Sequence, residues 1–106
     1  VRVLIDECLD WRLGRALEGH FVTSVQRMGW SGISNGQFLK RMEDAKFDVF
    51  LSGDRNLQHQ QNITRSHISV LVLAAPGTQM IHTLPLMDRV RSALQNIQRG
   101  TVMVIR

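Results

Sequence analysis

The sequence predicts an α/β fold: a three-layer α/β/α sandwich around a five-stranded, mainly parallel sheet of strand order 2-1-3-4-5. Three observations carry this. Apolar runs of strand length alternate with segments of helical period, the signature of successive βαβ units. Two of the runs, Val1-Arg2-Val3-Leu4-Ile5-Asp6-Glu7 and Asp48-Val49-Phe50-Leu51-Ser52-Gly53-Asp54, stop on carboxylates. In a parallel sheet all strands finish at one edge, and ligands bind there at the point where the strand order reverses. Helices on both faces and right-handed crossovers suggest the order, which puts the two acidic strand ends side by side at the switch point. At 106 residues the chain fits one domain, spanning 1–106.

Each element has a local reason. Residues 2–5 are the first strand. Asp10 can N-cap a helix carrying Trp11, Leu13 and Leu17, which Gly19 ends. Residues 21–25 form the second strand. A loop, Met28-Gly29-Trp30-Ser31-Gly32-Ile33-Ser34, follows. Ser34 or Asn35 caps a helix with Phe38, Leu39, Met42 and Ala45 on its apolar side. Residues 48–52 are the third strand, and 54–66 read as a polar helix with a narrow stripe at Leu57 and Ile63. Residues 68–75 are the longest β-rich run and predict a strand covered on both faces. Pro76-Gly77 turns the chain. Pro85 can open a last helix with Leu86, Met87, Val90, Leu94 and Ile97 on one face. Gly100 ends it, and residues 101–105 close the sheet.

Composition narrows the class. At 43% hydrophobic residues the chain has enough apolar surface to fold, which excludes disorder. No apolar run approaches the ~20 residues of a membrane span. The first apolar run breaks at Asp6-Glu7, so it does not read as a signal peptide. A lone cysteine, Cys8, excludes an internal disulfide and points to a cytoplasmic setting. Its place after a strand suggests a buried small hydrophobe. Thirteen Lys and Arg against nine Asp and Glu give +4, which suits an anionic partner. The basic residues are scattered, so a solvated surface explains them equally well.

The chemistry converges on Asp6 and Asp54. Side by side at one sheet edge, two carboxylates repel unless a cation or a shared proton intervenes. Mg²⁺ or Mn²⁺ is the expected ligand, since hard cations take oxygen donors. Glu7 points elsewhere by the period-two rule for strands. Asp6 could instead satisfy nearby backbone N–H groups. Asp54 precedes a helix, where an N-cap carboxylate is expected anyway. The pairing of the two favours the ligand reading. Arg55 could contact phosphate or simply be solvated. The amides of Gln60, Gln61 and Asn62 suit base edges and sugar hydroxyls. Trp30 could stack on a base or plug its loop onto the core. The histidines at 20, 59, 67 and 82 have no zinc spacing, and no phosphate loop or nucleophile elbow is present. Ser52 lacks the partners of a nucleophile.

A series of motifs runs through nearly the whole chain. It comprises Leu4-Ile5-Asp6-Glu7-Cys8-Leu9, Gly19-His20, Met28-Gly29-Trp30-Ser31-Gly32, Asn35-Gly36-Gln37-Phe38-Leu39, Phe47-Asp48-Val49-Phe50-Leu51-Ser52-Gly53-Asp54-Arg55-Asn56-Leu57, Gln60-Gln61-Asn62 and Val70-Leu71-Val72-Leu73. The series resembles a bacterial family of small stand-alone PIN-like proteins whose function is unknown. The wider superfamily comprises Mg²⁺- or Mn²⁺-dependent nucleases, many of them RNA-cleaving toxins paired with an antitoxin. The resemblance implies an acidic cluster at the C-terminal edge of the sheet. Asp6 would be its first acid, Asp54 the acid after the third strand, and Glu7 the second member of an Asp-Glu pair. The chain departs from the pattern at Asn35-Gly36-Gln37, where many relatives have an acid, and at Ala74-Ala75-Pro76-Gly77, which supplies none. An asparagine can still ligate a hard cation through its carbonyl.

The expected function is thus a Mg²⁺- or Mn²⁺-dependent ribonuclease, with a toxin–antitoxin pair as its setting. Asp6 and Asp54 would be the metal ligands. Asp6, Asp54, Glu7 and Asn35 would form the catalytic set, with Asn35 orienting water or substrate. Arg55, Asn56, Gln60, Gln61, Asn62 and Trp30 would position the RNA. RNA is the expected partner; an antitoxin protein and a second copy of the chain are left open, and no membrane is expected. The rival is a catalytically degenerate PIN-like module that binds nucleic acid or protein. A phospho-receiver-like switch is disfavoured. Leu73-Ala74-Ala75 lacks the hydroxyl expected at the end of the fourth strand, and no lysine ends the fifth, Val102-Met103-Val104-Ile105.

Overall fold

A computed structural model describes residues 1–33, 35–59 and 66–106, with the side chains of 35, 36, 58 and 59 left aside. Five strands form one sheet: β1 (Arg2–Ile5), β2 (Phe21–Ser24), β3 (Val49–Ser52), β4 (Ser69–Leu73) and β5 (Val102–Ile105). The order is β2-β1-β3-β4-β5, as expected, and every ladder is parallel. Strands of four or five residues suffice because each is apolar and stiff. β3 and β4 are buried along their whole length, as central strands covered on both faces must be.

Period two divides the apolar side chains between two cores. Val3, Ile5, Val49, Leu51, Leu71 and Leu73 face one side. They pack on Leu13 and Leu17 and on Met87, Val90 and Leu94 of α3 (Met87–Gln95). Leu4, Phe50, Val70 and Val72 face the other side, under Met42 of α1 (Asn35–Asp44). That second core is rich in aromatic rings. Trp30 meets Phe38 and Phe47 edge to face at 6.1 and 6.0 Å, and Phe38 meets Phe50 at 5.0 Å.

The helices differ from expectation more than the strands do. The segment after Asp10 is a 3₁₀ helix of six residues, Trp11–Ala16. Gly14 lies at its centre and packs against β2; a Cβ there would sit 2.9 Å from Val22 Cγ1. Beyond Asp54 the described helical residues are a second 3₁₀ turn, Arg55–His59. The last helical region starts earlier than Pro85. It comprises α2 (Met80–Thr83), a 3₁₀ turn at Leu84–Leu86 and then α3. Pro85 removes a backbone donor and splits what its neighbours would otherwise continue. α1 ends without glycine. Lys46 takes φ +65°, with Phe47 N–H donating to Met42 C=O and Lys46 N–H to Glu43 C=O. This is a Schellman cap built on a lysine.

Asp10 is the N-cap of the first 3₁₀ helix, as expected. Its Oδ1 accepts from Arg12 N–H at 2.9 Å, and the Arg12 guanidinium donates to both carboxylate oxygens. The Arg12 side-chain hydrogen bond is the main reason the carboxyl is held down, from 3.8 to about 2. A depressed folded-state pKa stabilises the fold above the unfolded value, and that contribution is lost as pH falls through about 2. Asp10→Asn should therefore flatten the fall in melting temperature between pH 4 and pH 2. The pair lies at the surface, so the effect is small and shrinks in salt. An acid series of thermal melts, with and without added salt, measures it. Among the described residues no helix is long and apolar enough to cross a membrane.

Candidate functional site

β1 and β3 run side by side, with Ile5 opposite Leu51. The pairing extends one step further, since Asp6 N–H donates to Leu51 C=O at 2.9 Å. That step sets Asp6 beside Ser52. Both follow the even-numbered residues Leu4 and Phe50, so both turn toward the aromatic core. Ser52 is fully buried. Its hydroxyl donates to Asp6 Oδ2 at 2.6 Å and accepts from Asp54 N–H at 3.0 Å. One buried hydroxyl thus ties the two acidic strand ends together, at the switch point of the sheet.

Both carboxylates have further partners. Asp6 Oδ1 accepts from Glu7 N–H at 2.8 Å, and Asp6 Oδ2 also accepts from Cys8 Sγ at 3.6 Å. Asp54 Oδ1 accepts from Asn56 N–H at 3.0 Å, closing a turn onto the following 3₁₀ helix. A carboxylate offers about four lone-pair sites. Asp6 has filled most of its own, whereas Asp54 keeps an oxygen free of hydrogen bonds among the described residues. Gly53 between them has no spare room. A Cβ there would come within 2.9 Å of Thr78 Cγ2 and 3.3 Å of Leu9 Cδ2.

Asp6, Glu7 and Asp54 line a small cleft of about 90 Å³, with Trp30, Phe38 and Phe50 on its apolar wall. The cleft is therefore acidic at its rim and aromatic inside. Glu7 is exposed at the mouth. Trp30 is half-buried and plugged against Phe38 and Phe47, while still contributing to the wall. Arg55 turns away, donating to Ala75 C=O at 3.0 Å, and Asn56 is exposed. Asn35 opens α1, but its side chain is not described; Gln60, Gln61 and Asn62 lie outside the described residues. Among the described residues, no three His, Cys, Asp or Glu side chains gather into a group that could hold a metal ion.

Cys8 corrects an expectation. It is exposed, not buried, because β1 stops at Ile5 and the chain turns out toward the site edge. Its sulfur rests beside Ser52 and Asp6. Partial burial of the sulfur is the main reason its pKa is raised, and the Asp6 charge adds to it. Alkylation by iodoacetamide should accordingly be slower at neutral pH than for a free cysteine. Asp6→Asn should speed it by removing the neighbouring charge. Equal rates in both proteins would show that Asp6 does not govern the thiol.

Ser52 is the residue that the sequence hid. Its signal was present: a hydroxyl at the last inward position of a buried strand, followed by Gly-Asp, must find a polar partner at the sheet edge. No protein-family model, curated protein or solved structure matches this chain. Fold and site together define a small α/β protein with a five-stranded parallel sheet and an acidic, aromatic-walled cleft at the switch point.

Proposed function

We propose that this chain is a PIN-like ribonuclease dependent on Mg²⁺ or Mn²⁺, acting as the toxin of a toxin–antitoxin pair. The observation that supports it is the Ser52 hydroxyl, which holds Asp6 and the Asp54 backbone at one sheet edge. The donor set suits Mg²⁺, which binds through one or two carboxylates and keeps several waters. Asp54 is the freer ligand and Asp6 the more constrained one. A bound divalent ion supplies Lewis-acid stabilisation to a phosphodiester. Glu7, exposed at the mouth, would accept a proton from solvent-side water in this reading. The aromatic wall shields one side of the cleft from water. Asn35 and the amides of Gln60, Gln61 and Asn62 are assigned to RNA on sequence grounds.

A second reading has its own support. With no group of three metal-capable side chains among the described residues, a nucleic-acid- or protein-binding module needs no catalytic metal. Incubation of purified chain with end-labelled single-stranded RNA and Mn²⁺ separates the two. Metal-dependent cutting that EDTA stops supports the nuclease. Intact RNA under Mg²⁺, Mn²⁺ and other divalent ions favours the binding module.

A further inference from the structure

A second cavity, much larger than the acidic cleft, lies elsewhere on the described surface. It is an open groove of about 790 Å³ along the outer side of β2, within the range of ligand-binding sites. β2 is an edge strand, with β1 on one side and no strand on the other among the described residues. The 3₁₀ helix Trp11–Ala16 forms the other wall. Two large aromatic rings stand out along it, Trp11 at 52% exposure and Phe21 at 51%. Such exposure is unusual for rings that the nearby core could have buried.

The charges around those rings are basic. Arg15 lies over the Trp11 ring at 5.3 Å, and the Arg2 guanidinium backs one side of the Phe21 ring at 4.3 Å. Arg15 and Arg27 both line the groove, and neither makes an ion pair among the described residues. Arg12, by contrast, is committed to Asp10. Glu18 is the one acid on the wall. Near the C-terminal end of β2 the groove reaches Gln26, whose side chain donates to the Glu7 carbonyl at 3.3 Å. Val25, next in line, already belongs to the wall of the acidic cleft.

Exposed aromatic rings interleaved with unpaired arginines are what a single strand of nucleic acid requires. Bases stack on the rings, and the guanidinium groups neutralise phosphates. We propose that the β2-edge groove is a binding track for single-stranded nucleic acid, leading past Gln26 and Arg27 to the Asp6–Asp54 cleft. The ribonuclease reading is needed only for the choice of RNA over DNA. Like-charged grooves on two copies would repel, so charge favours an anionic occupant over a second copy of the chain.

The probe is a fluorescein-labelled oligouridylate of about ten nucleotides, comparable to the site of one small single-strand-binding domain. Its binding is measured by anisotropy in EDTA, with the Asp54→Asn chain so that nothing is cut. Trp11→Ala and Phe21→Ala should each weaken binding by about fivefold or more, the loss of one stacked base. Trp11→Phe and Phe21→Tyr, which keep a ring, should restore most of it. Arg15→Ala and Arg27→Ala should each lower the salt slope by about one. Thermal melts confirm that each variant is folded. Absence of binding at low salt overturns the proposal. So does equal binding by all four alanine variants, or a concentration-dependent dimer that the same variants dissolve. Binding without any metal-dependent cutting by the wild type removes the ribonuclease and leaves the track. Cutting that is indifferent to the groove variants does the reverse.

Discussion

Asp54→Asn is expected to abolish RNA cutting in Mn²⁺ while leaving the fold intact. The two halves of that result have separate causes. The carboxylate has an oxygen free of hydrogen bonds among the described residues, and a neutral amide is a much poorer ligand for a hard cation. Loss of groups that merely orient a ligand costs about 10–100-fold in metal affinity or activity, so loss of a ligand itself should cost at least the upper figure. The fold persists because the asparagine carbonyl can still accept from Asn56 N–H, and asparagine caps about as well as aspartate. The Asp54 backbone N–H keeps its bond to Ser52 whatever the side chain. Cleavage of end-labelled RNA and a thermal melt measure the two halves. Undiminished cutting by the mutant places the activity elsewhere, either in another site or in a contaminant.

Asp6→Asn should behave differently, because Asp6 is built into the structure. Its oxygens accept from Glu7 N–H, Ser52 Oγ and Cys8 Sγ. An amide offers one oxygen, so at least one of those donors loses its acceptor. Hydrogen bonds to a charged group contribute about 1.5–3 kcal/mol each. The metal-free mutant should accordingly melt lower, by several degrees for a domain of this size. Divalent metal should raise the melting temperature of the wild type, since it binds the folded chain. It should do so much less for Asp6→Asn. A destabilised mutant with no metal response in either protein leaves Asp6 a structural carboxylate and ends the metal reading.

The strands were legible because each is a short apolar run closed by a polar or turning residue. Their order followed from helices on both faces and the handedness of crossovers, and β1 does lie between β2 and β3. The helices were less legible for local reasons. Gly14 serves close packing on Val22, which six residues of 3₁₀ helix permit. Lys46 caps α1 in a conformation usually signalled by glycine. At the site, Asp6 and Asp54 were readable as strand-end acids. For Ser52 the need for a polar partner was readable, but the partner, Asp6, follows from a register that only the paired strands create. Cys8 looked buried from its neighbours, yet the turn after Ile5 carries it outward. The groove beside β2 escaped notice since Trp11 and Phe21 look like core residues in any linear pattern.

An all-parallel sheet has a kinetic consequence. Parallel neighbours cannot be joined by a tight turn, so every ladder waits for a crossover to form. β1 shows this on both edges, because Val3 pairs with Val22 on one side and with Val49 on the other. Closing such long loops precedes the reward of pairing, which slows folding relative to a helical bundle of similar length. During synthesis at about 5–20 residues per second, β1 is made seconds before β3. Through that interval Val3, Leu4 and Ile5 have at most the β2 edge as a partner, and the edge that β3 will cover stays open. That nascent segment is where the chain is most open to aggregation and to capture by chaperones.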